Sequence, residues 1–380
     1  MTHLNLPGGA IDLIAGPLPK TGGTWNRIGY AAAHVVADPL ADVDPWIDCA
    51  IDWDRTLAFR EHLWSLGFGV AEAMDTAQRG MGVDWAASLE LIQRSTALAK
   101  SGGHLIASGA GTDHLAPSAD VTLEDVIAAY ELQCEAVEAT GSRVVLMASR
   151  ALVIAAKGPD DYAKVYDRVL SGLNHPAILH WLGEMFDPAL AGYWGDVDHD
   201  SAMDTCLGII ETNAAKVDGI KISLLSAEKE VAMRRRLPEG VKMYTGDDFN
   251  YPDLIAGDDQ GFSHALLGIF DPIAGAAATA LSALSDGDNK AYRDALDPTV
   301  PLSRHIFKAP TRFYKTGVVF LAYLNGHQDH FTMVGGQESA RSTLHLAQAI
   351  RLANEARLFT DPDSVAVRAR AVFAARGAEV

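Results

Sequence analysis

The chain is poor in cysteine, in basic residues and in long apolar runs, and each shortage removes a class of protein. Three cysteines, Cys49, Cys134 and Cys206, are scattered over 380 residues. They are odd in number and form no C-x-x-C. That excludes a disulfide framework and a cysteine zinc site, and small buried thiols fit better. Lysine and arginine total 31 against 49 aspartates and glutamates, a net charge of −18. Nucleic acid and anionic membranes need a basic surface, so neither is expected as a partner. A small anionic ligand stays open, since one or two local cations hold it. The most apolar window, GVVFLAYL at 317–324, is too short to span a bilayer. The N-terminal stretch MTHLNLPGGAIDLIAGPLPK has no basic segment leading into a long apolar core. No signal peptide is therefore expected, and a cytoplasmic location follows. Internal repeats and low-complexity linkers are missing as well.

What the chain does have is alternation. Eight short apolar runs occur at 29–37, 67–73, 104–109, 143–149, 177–182, 218–223, 241–246 and 261–269. Amphipathic patterns lie between many of them, at 54–67, 88–103, 122–141, 160–172 and 226–240. Thr122 and Asp125 read as an N-cap with an acidic first turn. Strand and helix in alternation mean parallel strands with right-handed crossovers. Eight repeats predict a closed (β/α)8 TIM barrel over 29–274, with a doubly wound sheet as the alternative. Residues 1–28 form a leading segment. Residues 275–380 read as helices, a C-terminal extension packed on the barrel.

One residue breaks the pattern. VDGIKISLL, Val217 to Leu225, reads as a buried strand with Lys221 in its middle, and lysine is rarely buried alone. In such barrels chemistry sits at the C-terminal ends of the strands. A lysine in an apolar wall loses pKa and becomes a nucleophile able to form a Schiff base. The competing reading is a lysine snorkelling from the strand mouth to solvent.

The stretch from Asp218 to Ile269 resembles the dihydrodipicolinate synthase / N-acetylneuraminate lyase family, the class I aldolase-like lyases. Gly219-Ile220-Lys221 matches the strand motif that carries that family's Schiff-base lysine. Gly246-Asp247-Asp248 and the turn around Gly257 to Gly261 follow at matching spacing. The resemblance implies a (β/α)8 barrel, a lyase mechanism through Lys221 without a cofactor, a small-molecule substrate and a homo-oligomer, dimer or tetramer. The chain reads as a divergent bacterial branch of unknown function.

The departures bear on substrate. The family's G-T-T-G-E-like carboxylate loop after the second strand is absent; GVAEAMDTAQRGMGVDW (69–85) offers Glu72, Asp75, Gln78 and Arg79. His180 stands where the family has a tyrosine near the end of the fifth strand, either a proton shuttle or a core histidine. Ser149 and Arg150 follow the fourth strand, as a hydroxyl and an anion-binding or bridging group. The catalytic set is thus expected to be Lys221, His180 and Ser149. The substrate contacts are expected to be Glu72, Asp75, Arg79, Arg150, Gly246, Asp247 and His264. A small oxo acid or a sugar-derived carbonyl compound suits these polar loops, and lysine biosynthesis does not.

Two other readings compete. His34, Asp38, Asp113, His114, Glu184 and the acids from Asp196 to Asp200 also fall near strand ends, as a metal-dependent lyase or isomerase would need. No tight metal spacing such as H-E-x-x-H occurs among them, and no metal is expected. A barrel that binds a metabolite without catalysis is the third. Trp85 and Trp194 in loops are sugar-stacking or packing residues, and the histidine-rich LNGHQDHF (324–331) is a metal clip or a surface loop.

Overall fold

Each of the eight apolar runs marks one parallel strand, which lies within the run or passes its end by one residue. A computed structural model describes residues 2–19 and 22–378. Its barrel strands are β1 (Gly29–Ala32), β2 (Gly69–Glu72), β3 (Ile106–Ala110), β4 (Arg143–Leu146), β5 (Ala177–Leu182), β6 (Val217–Ser223), β7 (Lys242–Thr245) and β8 (His264–Leu267). Neighbours pair in parallel in chain order and β8 returns to β1, which closes the barrel. The apolar, β-branched runs suit strands buried on both faces. Side chains alternate: Tyr30, Ala32, Ala71, Ala107, Val145, Ile178, Tyr244 and Leu266 fill the barrel, while their neighbours pack under the helices.

The helices start and stop where capping chemistry allows. Helix α1 (Trp53–Leu66) is capped by the Asp52 carboxylate and ends at Gly67, whose φ of 105° suits glycine. Helix α2 (Trp85–Gly102) is capped by Asp84. Helix α3 (Leu123–Thr140) opens on a reciprocal Thr122–Asp125 capping box. The short α4 (Arg150–Ala155) is followed by α5 (Pro159–Gly172). A further helix, α6 (His199–Thr212), begins inside the acidic stretch from Asp196 to Asp200; Asp198 is its N-cap. Helix α7 (Ala227–Arg234) is shorter than the pattern at 226–240 predicts, and α8 (Tyr251–Ala256) is a short turn before β8. Helix α9 (Ala274–Ser285) packs on α1 as the eighth barrel helix.

Beyond it come α10 (Asn289–Leu296), α11 (Val300–Ile306), α12 (Tyr314–Leu324), α13 (Thr343–Glu355) and α14 (Pro362–Ala375). Every residue of α12 is buried, which explains the apolar window GVVFLAYL: a helix hydrophobic all round belongs inside a protein core. Among the described residues no helix is long and apolar enough to cross a membrane. A small antiparallel ribbon, Thr2–Leu4 with Ile11–Leu13, lies against α14, where Arg370 donates to the His3 carbonyl at 2.9 Å.

The two ends of the barrel differ. At the N-terminal end Asp218 accepts from Lys242 (2.9 Å), the Tyr244 hydroxyl (2.7 Å) and Arg143 (2.9 Å). These polar groups satisfy one another and plug that end. The open end is the C-terminal one, and the first residues of α12, Tyr314 and Lys315, reach it.

Candidate functional site

Strand alternation decides which residues meet there. On β6, Ile220 and Ile222 face the helices, so Lys221 and Ser223 face the interior. Register pairs His180 with Lys221 and Leu182 with Ser223, so the same alternation turns His180 inward beside the lysine. Lys221 is 9% exposed. Among the described residues it forms no ion pair. Burial lowers its pKa, while the charges of Asp248 and Asp75 partly oppose that.

The lysine lines a narrow inner chamber with Asp75, Thr76, His180, Ser223, Asp248 and Tyr314. The free space is about 10 Å³, room for roughly one water molecule. Asp248 follows β7 and accepts from the Ile269 amide at 2.9 Å. Burial pushes its carboxyl up to about 7, with that amide and the Lys221 charge pulling the other way. His180 is buried, with Nε2 3.4 Å from Ser223 Oγ. Burial, then the lysine charge, hold its pKa well below the usual histidine range, so the ring is neutral. Tyr314 comes from the first residue of α12. Its hydroxyl is 2.8 Å from Thr76 Oγ1, and its ring stacks on Phe307 at 4.3 Å.

Gly246 makes this crowding possible. A Cβ there would lie 2.2 Å from Ser223 Oγ, 2.7 Å from Lys221 Cε and 2.8 Å from the Ile222 carbonyl. Only glycine lets β7 pass so close to the lysine stem.

Asp75, His180, Leu182 and Phe186 also line a second, outer cavity of about 290 Å³. The two spaces therefore adjoin, with these side chains between them. Arg79, Arg150, Arg312 and Lys315 supply its cations. Arg79 is fully engaged: it chelates Asp113 (2.6 and 3.0 Å) and donates to Gln133 and the Gly109 carbonyl. Burial works to raise Asp113, but the bonds from Arg79 and Gln133 hold it below its ordinary value. Arg150 pairs with Asp187.

Other residues singled out from the sequence lie elsewhere. Glu72 is the outward neighbour of Ala71 and meets Arg60 of α1 in a buried bidentate pair, both bonds 2.9 Å. It braces strand to helix instead of facing a substrate. Ser149 is the N-cap of α4, accepting from the Leu152 amide and bonded to Thr112 Oγ1 at 2.6 Å. Asp247 turns away from its neighbour to accept from the Phe249 and Asn250 amides. His264 opens β8, at the plugged end, where it accepts from the Ile28 amide. Burial and the neighbouring cations Lys242 and Arg27 push its pKa down to about 4.

The scattered groups of the metal reading are not gathered. Among the described residues, no group of three or more His, Cys, Asp or Glu is placed to hold a metal ion. Trp194 is buried among Tyr162, Tyr166 and Trp181, a packing role. His327 of the histidine-rich stretch packs against His62.

The site residues that sequence reasoning missed are Asp248, Ser223, Thr76, Tyr314 and Lys315. Lys315 carried a usable signal. It is a charge at the head of a wholly apolar helix, the same oddity as Lys221 in its strand.

The comparisons agree with this architecture. The family model described as "Protein of unknown function (DUF993)" matches residues 16–378. No curated protein matches the chain. Among solved structures, dihydrodipicolinate synthase from Aquifex aeolicus superposes with a TM-score of 0.63 at 11% identity, covering 86% of this chain and 97% of that one. The enzyme from Acinetobacter baumannii, solved with pyruvate, gives 0.63 at 13% identity over 88% and 100%. That from Bacillus clausii gives 0.62 at 13% over 86% and 96%. At such identities the shared property is the fold.

Proposed function

This chain belongs to the DUF993 family, and on that premise, with the site as the guide, we propose that it is a Schiff-base-forming lyase acting through Lys221 on a small oxo acid or sugar-derived carbonyl compound. The observation that carries the reading is a buried lysine that forms no ion pair among the described residues, at the C-terminal end of β6, facing a chamber that adjoins a ligand-sized cavity.

The roles follow from position and charge. A lowered pKa raises the share of neutral amine, and that amine attacks the carbonyl carbon as the C–O π bond opens. Asp248, at about 7, is poised near neutrality to take the ammonium proton and return one to the departing hydroxyl, which leaves as water. For carbon–carbon cleavage, His180 takes the proton of the β-hydroxyl as the bond between the α and β carbons breaks, and its electron pair passes to the iminium to leave an enamine; for carbon–oxygen cleavage, His180 takes an α proton first and the enamine expels the β-hydroxyl, which leaves as water on protonation. Tyr314, its hydroxyl held by Thr76, donates a hydrogen bond to the reacting oxygen. Neutral His180 accepts one through a ring nitrogen. The inner chamber takes the reacting carbonyl and the outer cavity the rest of the molecule. The pyruvate complex of the A. baumannii synthase supports including 2-oxo acids among the compounds tried.

Borohydride reduction with a panel of 2-oxo acids and keto-sugars, read by intact mass and peptide mapping, tests this. We expect a stable adduct on Lys221 that Lys221→Met abolishes while the fold is kept. A panel that leaves the wild-type mass unchanged would sink the proposal.

A further inference from the structure

The outer cavity holds a cation that the imine chemistry leaves unused. Lys315 is 3% exposed; among the described residues the one hydrogen-bond partner of its Nζ is the Met81 thioether sulfur at 3.2 Å, and the Tyr314 ring lies 5.0 Å away. A thioether is a weak acceptor. A buried ammonium ordinarily has a carboxylate beside it. Among the described residues Lys315 forms no ion pair, although its side chain lines the cavity.

The other charges of the wall do not supply the missing partner. Asp113 is taken by Arg79 and Asp187 by Arg150. What remains is Asp75, whose charge acts on Lys315 without forming an ion pair with it, together with Lys315 and Arg312 themselves. Asp75 also faces the inner chamber and adds its charge to Lys221. Arg312 is exposed at the rim and, among the described residues, makes no ion pair. In a chain of net charge −18, two uncommitted cations at one cavity are a local exception.

We infer that Lys315, with Arg312 at the rim, is an anion anchor, and that the compound reaching Lys221 carries a phosphate or carboxylate at its far end. The inference rests on the Schiff-base reading for the identity of that compound, but not for the anion site itself. An anion seated there would replace the water that a buried ammonium lost. It would also hold the reacting end of the molecule toward β6, the positional work that a lysine can do with its three donors.

The test is calorimetric titration of inorganic phosphate and of succinate into four proteins: wild type, Lys221→Met, Lys315→Met and Arg312→Gln. One of the two anions should bind wild type and Lys221→Met alike, within about threefold. It should bind Lys315→Met at least ~10-fold more weakly, the loss of one charge-assisted bond, and Arg312→Gln severalfold more weakly. Which anion binds tells the phosphate source from the carboxylate one. Lys221→Met cannot form an imine, so the anion result stands even if borohydride trapping fails. Should Lys315→Met not fold, pulsed acylation of wild-type lysines answers instead: the bound anion should slow labelling of Lys315 selectively. Equal binding by Lys315→Met and wild type, no binding or protection by either anion, or a borohydride adduct on Lys315 itself would overturn the inference.

Discussion

Replacing Gly246 with alanine probes the chamber without touching any charged group. The new methyl would sit 2.2 Å from Ser223 Oγ, 2.7 Å from Lys221 Cε and 2.8 Å from the Ile222 carbonyl. Ordinary contact is about 3.5 Å or more, so each neighbour is overrun by roughly an ångström. Ser223 can rotate and the lysine stem can bend. The Ile222 carbonyl cannot easily yield, because it accepts from the Gly246 amide at 2.9 Å. Overpacking of this kind costs about 1–3 kcal/mol. At ~2.1 cal/mol/K per residue, unfolding 380 residues carries about 0.8 kcal/mol per kelvin, so Tm should fall by about 1–4 °C. The control is Gly208→Ala, at an exposed position of α6 with nothing within 4 Å of the added Cβ. It should stabilise by up to about 1 kcal/mol, the ordinary helix preference for alanine. Denaturant midpoints and scanning calorimetry measure both, and amine-reactive labelling of Lys221 reads the displaced stem. Wild-type stability and unchanged Lys221 labelling in Gly246→Ala would refute the packing described here.

Three further outcomes are expected. Glu72→Ala strands Arg60 in a fully buried position and should cost about 3–5 kcal/mol; urea unfolding showing under 1 kcal/mol would contradict that burial. Burial pushes Glu230 up to about 8, against bonds from Ser263 and Thr245 that lower it. Its folded pKa lies above its unfolded one, so its contribution is fully present below about 4.5 and is lost as pH rises through 8. The bound is on the order of 5 kcal/mol at about 1.4 per unit. Glu230→Gln should therefore flatten the fall in denaturant midpoint between pH 5 and 9, and parallel curves for the two proteins would count against it. Tyr314→Phe should slow adduct formation on Lys221 by roughly 10²-fold or more at a stability cost of about 1 kcal/mol; an unchanged trapping rate would leave the hydroxyl with packing alone.

The barrel was legible because its signals are local. Each strand announces itself as a short, mostly apolar run, and α1 and α3 by their caps. Lys221 was legible as an exception to its run, and Gly246 through the resemblance carried by Gly246-Asp247-Asp248. The misplacements have a common cause in the period of two along a strand. Glu72 and Ala71 are neighbours, yet one braces a helix and the other fills the barrel. Asp247 and Asp248 divide in the same way between a turn and the chamber. His264 was misjudged along the strand axis, because its apolar run extends past both ends of β8. Ser149 fits the pattern of a helix cap, but its place after β4 favoured a chemical role. Tyr314 and Lys315 lie some ninety positions beyond the lysine, and no local pattern ties α12 to the mouth of the barrel.

That placement of α12 sets an order of events during synthesis. The last barrel strand is complete at Leu267, but the residues that roof the chamber come nearly fifty positions later. The ribbon at Thr2–Leu4 waits longer still, until α14 emerges to receive it. Barrel strands can pair while the ribosome is still working, since domains tend to assemble from the N-terminal side. In that interval Lys221 sits at the floor of an uncovered cup, wet and chargeable, and its amine has no reason to be reactive. A nascent barrel therefore leaves Lys221 open to water, and its burial waits until the late helices dock.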